Sequence, residues 1–115
     1  MSNASFLAIA NGRRLVIELR EIRNGWRGRV SARRDSRVWQ VVDLLMRHPV
    51  VNAGLLAGEL GVADRNVYRY IEPLERAGVL TEFTDRRRHR AWRSPEILTA
   101  LDGFAARAGR RGAAG

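Results

Sequence analysis

The stretch from Leu56 to Ile71 constrains the fold more than any other part of the chain. A small residue, Ala57, is followed four positions later by Gly61. Two helices that cross steeply need a small side chain where their backbones approach, and a tight turn favours glycine where the first helix ends. The apolar residues fall where two such helices would share a core: Leu56, Leu60, Val62, Val67 and Tyr70. This spacing predicts a helix-turn-helix.

Helical periodicity also precedes this motif. Residues from Arg13 to Arg34 carry an apolar stripe that predicts a long helix. The stripe consists of Leu15, Leu19, Ile22, Trp26 and Val30. A second helix begins after a cap at Asp35 or Ser36 and ends before Pro49, because the residue before proline avoids the helical region. Its apolar face consists of Val38, Val41, Val42 and Leu45.

The motif's two helices have their own start and stop signals. Asn52 caps a helix over residues 53–60, and Gly61 ends it. The next helix begins at Ala63 or Asp64 and continues to about Ala77.

A hairpin and a last helix follow the motif. Val79 to Thr84 and Arg90 to Arg93 have the pattern of two short strands, which the polar turn at 85–89 joins. Ser94-Pro95-Glu96 is typical of a helix start, with a serine cap and a proline in the first turn. The buried face of this helix consists of Ile97, Leu101 and Phe104. Together, these elements predict a mainly α winged helix-turn-helix with a long N-terminal helix, a two-stranded wing and a C-terminal helix.

The domain boundaries follow from the same patterns. We expect a lead-in at residues 1–12, which begins like a cloning remnant, and a long helical linker at 13–35. The winged helix-turn-helix would occupy 36–108 and a flexible tail 109–115. The apolar stripe of the 13–34 helix is too long for a domain of this size to cover. We therefore expect that helix to pack on a second copy of the chain or on an upstream domain.

Composition excludes several classes of site. The chain has no cysteine and two histidines, which leaves no disulfide, no cysteine-ligated metal and no cysteine nucleophile. It shows no nucleophile, metal-ligand or phosphate-loop pattern, so we expect neither an enzyme nor a cofactor. The sequence also lacks a signal peptide and an apolar run of about 18 residues. We expect a cytoplasmic protein without a membrane partner.

The charge is strongly positive and unevenly distributed. The net charge is +9, and every basic residue is arginine. Residues 13–37 hold nine arginines and three acidic residues, residues 38–84 hold four and six, and residues 85–93 hold five and one. Arginine's rigid fork suits phosphate, although codon bias in a GC-rich genome also favours arginine over lysine. Two basic stretches thus flank a mildly acidic middle.

The second helix of the motif supplies candidate DNA contacts. In a helix-turn-helix, the N-terminal part of this helix enters the major groove, where arginine reads guanine and asparagine reads adenine. The candidates are Arg65, Asn66, Tyr68 and Arg69. The alternative is that Glu72 pairs with Arg69 and Arg76 as surface ion pairs. A DNA reader should leave Arg65 and Arg69 free of Glu72.

The hairpin supplies a second group of candidates. A basic wing lies along the phosphate backbone or reaches into a minor groove. The candidates are Arg86, Arg87, Arg88 and Arg90. Such charges at a hairpin tip can equally well be solvated and serve only to prevent aggregation. We expect Trp92 to pack on the core and not to stack on a base.

Residues from about Leu15 through Arg111 also resemble the C-terminal region of a known family. The matching pieces are Arg37-Val38-Trp39 to Pro49-Val50-Val51-Asn52, Val79-Leu80-Thr81-Glu82, Asp85-Arg86-Arg87-Arg88 and the segment 100–111. They resemble bacterial Fic-family proteins, in which a long helix leads into a winged helix-turn-helix behind the catalytic domain. The family's His-Pro-Phe-x-x-Gly-Asn-Gly-Arg loop is absent, so no catalytic residue carries over. The resemblance implies an accessory domain of an AMP-transferase.

Two classes of function fit these observations. The first is a winged helix that binds duplex DNA in a regulatory or targeting role. The second is a protein-interaction or dimerisation winged helix that positions the partners of a Fic domain, with its charge merely solvated. The pairing of Arg65 and Arg69 distinguishes them.

Overall fold

The computed structural model describes residues 2–83 and 90–114, which form a mainly helical winged helix-turn-helix as predicted. In chain order the elements are α1 (Ser2–Arg29), α2 (Val38–Arg47), β1 (Val50–Asn52), α3 (Ala53–Leu60), α4 (Asp64–Arg76), β2 (Thr81–Glu82), β3 (Ala91–Arg93) and α5 (Pro95–Ala114). Helices α2, α3 and α4 pack around one core, which the sheet closes on one side.

The sheet has three antiparallel strands in the order β1-β3-β2. The sequence predicted the two strands of the wing and missed β1. Val51 of β1 lies opposite Trp92 of β3, and Glu82 of β2 lies opposite Trp92 from the other side. Val51 and Trp92 are both buried. A strand of three residues is too short for an alternating pattern to show. Only its pairing with β3, some forty residues later in the chain, shows that it is a strand.

The core combines the predicted apolar faces of the helices with residues of the sheet region, among them Val51 of the strand that the sequence missed. Its largest fully buried side chains are Trp26, Val41, Val42, Leu45, Val51, Leu56, Val67, Ile71, Leu74, Leu80, Trp92 and Ile97. Fully burying one such aliphatic side chain stabilises a fold by about 1.5–3 kcal/mol.

The ends of the helix-turn-helix have the expected local signals. The Asn52 side-chain oxygen accepts a hydrogen bond from the Leu55 amide at 2.7 Å and caps α3. Gly61 ends α3 in the left-handed conformation, with φ of 68°. This conformation costs other residues about 1–2 kcal/mol. Both predictions are confirmed, and the steep turn between α3 and α4 follows from them.

The two terminal helices differ from their predicted extents. The expected helix at 13–34 is instead α1, which includes the predicted lead-in and ends at Arg29. The backbone of α5 continues to Ala114, where a flexible tail was expected. The two helices pack on each other in antiparallel orientation, which explains why α1 already begins within the predicted lead-in. Asn11 of α1 donates a hydrogen bond to the Phe104 carbonyl and accepts one from Arg107.

A polar cluster joins the other ends of these helices. The Glu96 carboxylate accepts hydrogen bonds from Trp26 Nε1 at 3.1 Å and from Arg29 at 2.8 Å. Arg29 also donates to the carbonyl of Ala77, just after α4. Burial alone would raise the pKa of Glu96, but the hydrogen bonds from Arg29 and Trp26 outweigh it, so the pKa is lowered. Part of the α1 stripe is thus covered by α5 within the same chain.

Candidate nucleic-acid interface

Helix α4 buries one face and presents the other to solvent. Its inner stripe consists of Val67, Ile71 and Leu74, all buried. The side chains of Arg65, Asn66 and Arg69 are exposed. Since α4 starts directly after the tight turn, its first two turns lie at the surface of the domain, as a groove-reading helix requires.

The arginines at the start of α4 have no partner in the part of the chain that the structure describes. Glu72 forms its ion pair with Arg76, at 3.4 Å, and not with Arg69. Neither Arg65 nor Arg69 makes a hydrogen bond or ion pair within residues 2–83 and 90–114. No described residue therefore occupies the donors of their guanidinium groups. From the sequence, we expect this pairing pattern of a DNA reader and not of an interaction module.

Tyr68 and Arg90, two of the residues singled out from the sequence, lie together between α4 and the wing. The Tyr68 ring contacts Trp92 edge to face, with the ring centroids 5.9 Å apart. The Arg90 guanidinium lies 5.1 Å from the centroid of each ring. Such cation–π contacts are worth about 0.5–2 kcal/mol each, depending on exposure. This aromatic cluster attaches the wing to α4.

Glu82 holds Arg90 in this cluster. Its two carboxylate oxygens accept from Arg90 Nε at 2.6 Å and from an Nη at 3.1 Å. The hydrogen bond from Arg90 lowers the pKa of Glu82, and the same bond raises the pKa of Arg90. Sequence reasoning missed the role of Glu82. The sequence does contain a signal for this role, because Glu82 and Arg90 carry opposite charges and lie on the two sides of the predicted turn.

The tip of the wing lies outside the described residues, and with it Arg86, Arg87 and Arg88. At the edge of this gap, Phe83 is 46% exposed and the Arg93 guanidinium lies 5.8 Å from its ring centroid. Trp92 is fully buried, which confirms that it packs on the core.

Comparisons with known proteins agree with this geometry. No curated protein matches the chain, and nothing found connects it with Fic-family proteins. Within the described ranges, no helix is long and apolar enough to cross a membrane. Residues 38–93, which run from the start of α2 to the end of β3, match the family model of the HTH DNA binding domain.

Proposed function

We propose that this protein binds duplex DNA through the N-terminal half of α4 and the wing. The observation that carries the proposal is that Arg65 and Arg69 are exposed and have no partner among residues 2–83 and 90–114, while Glu72 is paired with Arg76. The match of residues 38–93 to a family of DNA-binding domains supports it.

Each of the four candidate residues of α4 is assigned a role suited to its chemistry. Arg65 and Asn66, in the first turn, face the groove and are assigned to base edges, with arginine on guanine and asparagine on adenine. Arg69, one turn later, is assigned to a phosphate. Tyr68 is 37% exposed and packs on Trp92. Its contribution is to set the angle between α4 and the wing, with its exposed edge against the DNA backbone.

The wing adds phosphate contacts that carry no base information. Arg86, Arg87 and Arg88 are assigned to phosphates on either side of a groove. Arg90 is occupied by Glu82 and the two aromatic rings. We therefore propose that Arg90 orients the wing and directs its remaining donors at the DNA backbone.

A salt titration tests the proposal. Fluorescence anisotropy with a random-sequence duplex should give a slope of log K against log salt near −4 to −5, if five arginines neutralise phosphates at about −0.9 each. Arg69→Ala and Arg87→Ala should each flatten the slope by about one. Arg14→Ala is the matched control, because Arg14 is exposed on α1 and already paired with Glu18 at 2.9 Å. Absence of binding at low salt overturns the proposal.

The resemblance to the C-terminal region of Fic-family proteins supports a finer proposal about the parent protein. We propose that this winged helix lies behind a catalytic AMP-transferase domain, with α1 as the connection and as a contact for that domain or for a second copy. A native gene product without a His-Pro-Phe-x-x-Gly-Asn-Gly-Arg loop contradicts the first part. A strictly monomeric chain by light scattering at high concentration contradicts self-association.

A further inference from the structure

Arginines recur at intervals of seven along α1 and the segment that follows it. They are Arg13, Arg20, Arg27 and Arg34. Seven residues are about two helical turns, or about 10.5 Å, so the first three form a row along one exposed line of α1. No hydrogen bond or ion pair occupies any of the four among the residues that the structure describes. The described contacts of the fold do not use these four arginines, and the proposed site on α4 does not include them.

The row ends in a cleft of about 600 Å³ between α1 and the start of α2. Its lining consists of Arg23, Arg27, Ala32, Arg34 and Trp39. Trp39 Nε1 donates to the carbonyl of Arg33 at 2.7 Å, which fixes the indole as one wall. We call this site the arginine cleft.

The acidic residues Asp43 and Asp35 lie next to arginines other than Arg27 and Arg34. Asp43 forms an ion pair with Arg23 at 2.5 Å, and Asp35 lies 3.9 Å from Arg33. Neither Arg27 nor Arg34 forms an ion pair with a residue that the structure describes. Two guanidinium groups beside an aromatic wall suit a phosphate, because each can offer a fork of N–H donors. A second copy of this surface would bring like charges together, which argues for a polyanion as the partner.

The arginine cleft lies close to the helix-turn-helix. Arg37, three residues after Arg34, donates to the carbonyl of Leu60 at 2.7 Å. Leu60 is the last residue of α3, directly before the turn that leads into α4. Three residues span at most about 11 Å, so the Cα atoms of Arg34 and Arg37 lie within that distance of each other. We therefore expect a duplex seated on the first turn of α4 to extend towards the cleft.

We propose that the arginine cleft binds a backbone phosphate of the same duplex DNA, and that the row along α1 extends the contact. This inference rests on the proposed function and enlarges its footprint from the helix-turn-helix to α1. It also accounts for the location of the largest basic excess, which lies in residues 13–37 and outside the helix-turn-helix.

Salt titration of charge-matched variants tests the inference. Arg27→Ala with Arg34→Ala should weaken binding to all duplex sequences alike and flatten the salt slope by about one, because the cleft neutralises one phosphate at roughly 0.9. The control variant, Arg14→Ala with Arg47→Ala, removes the same charge elsewhere. Its change in salt slope should be less than about half of the change in the cleft variant. All four side chains are exposed, so thermal melting should show the variants folded.

The outcomes separate this inference from the proposed function. An unchanged slope in the cleft variant, with a flattened slope in Arg69→Ala, overturns the cleft and leaves the α4 site standing. A flattened slope in the cleft variant, with no effect of Arg65→Ala or Arg69→Ala, supports the cleft and overturns the α4 site. Absence of duplex binding at low salt overturns both.

A spectroscopic readout distinguishes DNA from a free anion. The indole N–H resonance of Trp39, assigned with Trp39→Phe, should shift on addition of a short duplex at constant ionic strength. The Arg27 Nε–H resonance should shift with it. Shifts produced by inorganic phosphate and not by the duplex would mean a small-anion site, which overturns the inference. Shifts produced by single-stranded RNA and not by the duplex overturn it in the same way.

Discussion

Two sides of the molecule use the same residue type in opposite ways. Along the seam between α1 and α5, Arg29 and Arg107 are bonded to groups of the neighbouring helix or loop. On the outer face of α4, Arg65 and Arg69 have no partner among the described residues. The total charge of +9 does not reveal this difference. The pairing of each guanidinium, and not the count of arginines, marks the surface that is available to a ligand.

The difference cannot be explained by stability alone. Exposed ion pairs contribute about 0–1 kcal/mol, so pairing Arg69 with Glu72 would gain or lose little for the fold. An unpaired guanidinium next to a phosphate, in contrast, releases a counterion and forms charge-assisted hydrogen bonds. Substitutions in the α1–α5 seam should therefore change the free energy of unfolding, and substitutions on α4 should change DNA binding.

The largest expected effect is in the seam. Trp26→Ala should lower the free energy of unfolding by about 3–5 kcal/mol, because it empties a fully buried site and removes a hydrogen bond to Glu96. Urea denaturation measures it. Arg27→Ala, the next residue on the exposed side of α1, is the control and should change stability by about 0.5 kcal/mol or less. Similar losses in both variants would contradict the placement of α1 against the core.

The next effect is on sequence preference. Arg65→Ala or Asn66→Ala should reduce discrimination between the preferred duplex and its single-base variants by about 1–3 kcal/mol, if a bidentate base contact is lost. Selection from a random duplex library identifies the preferred sequence, and competition binding measures the change. Arg76→Ala on the same helix, which is paired with Glu72, serves as the control. If both Arg65→Ala and Asn66→Ala keep the sequence preference of the wild type, α4 does not read bases.

A third prediction concerns the cap of α3. Asn52→Ala should cost about 1 kcal/mol of stability, because the Leu55 amide loses its acceptor. Asn24→Ala is a matched control in the exposed part of α1, where no cap is involved, and should be neutral. Urea denaturation measures both. The Asn52→Ala protein should keep the wild-type salt slope of DNA binding, since no arginine is altered; a flattened slope would show that the cap affects the interface directly.

The smallest effect is on acid stability. Glu82 in the wing and Glu96 in the seam both have a lowered pKa, relative to an ordinary value of 4.5. As the pH falls, these two carboxylates are protonated at a higher pH in the unfolded chain than in the folded protein. Their stabilising contribution is therefore complete above about pH 4.5 and is lost as the pH drops through the lowered values. Glu82→Gln and Glu96→Gln should each reduce the loss of stability between pH 5 and 3. A steeper loss in either variant would contradict the assigned direction.

Local signals in the sequence were sufficient for much of the fold. The helix start at Pro95, the stop at Gly61 and the cap at Asn52 each depend on neighbouring residues, and each is found where it was predicted. Strand β1 and the pair between Glu82 and Arg90 depend on contacts between separate segments, which periodicity does not report. For the same reason the arginine cleft was missed, although the seven-residue interval of its arginines is visible in the sequence.

Asn52 has a consequence for the mechanics of the domain. It is the last residue of β1 and also the cap of α3, so no residue separates the sheet from the helix-turn-helix. The amide of Ser94, at the other end of the sheet, donates to the Pro49 carbonyl just before β1 and ties in the start of α5. The junction between β1 and α3 therefore contains no connecting residue, and we expect the sheet and α3 to unfold as one unit. A displacement imposed on the wing by bent DNA would be transmitted to α3 as a rotation of the whole unit.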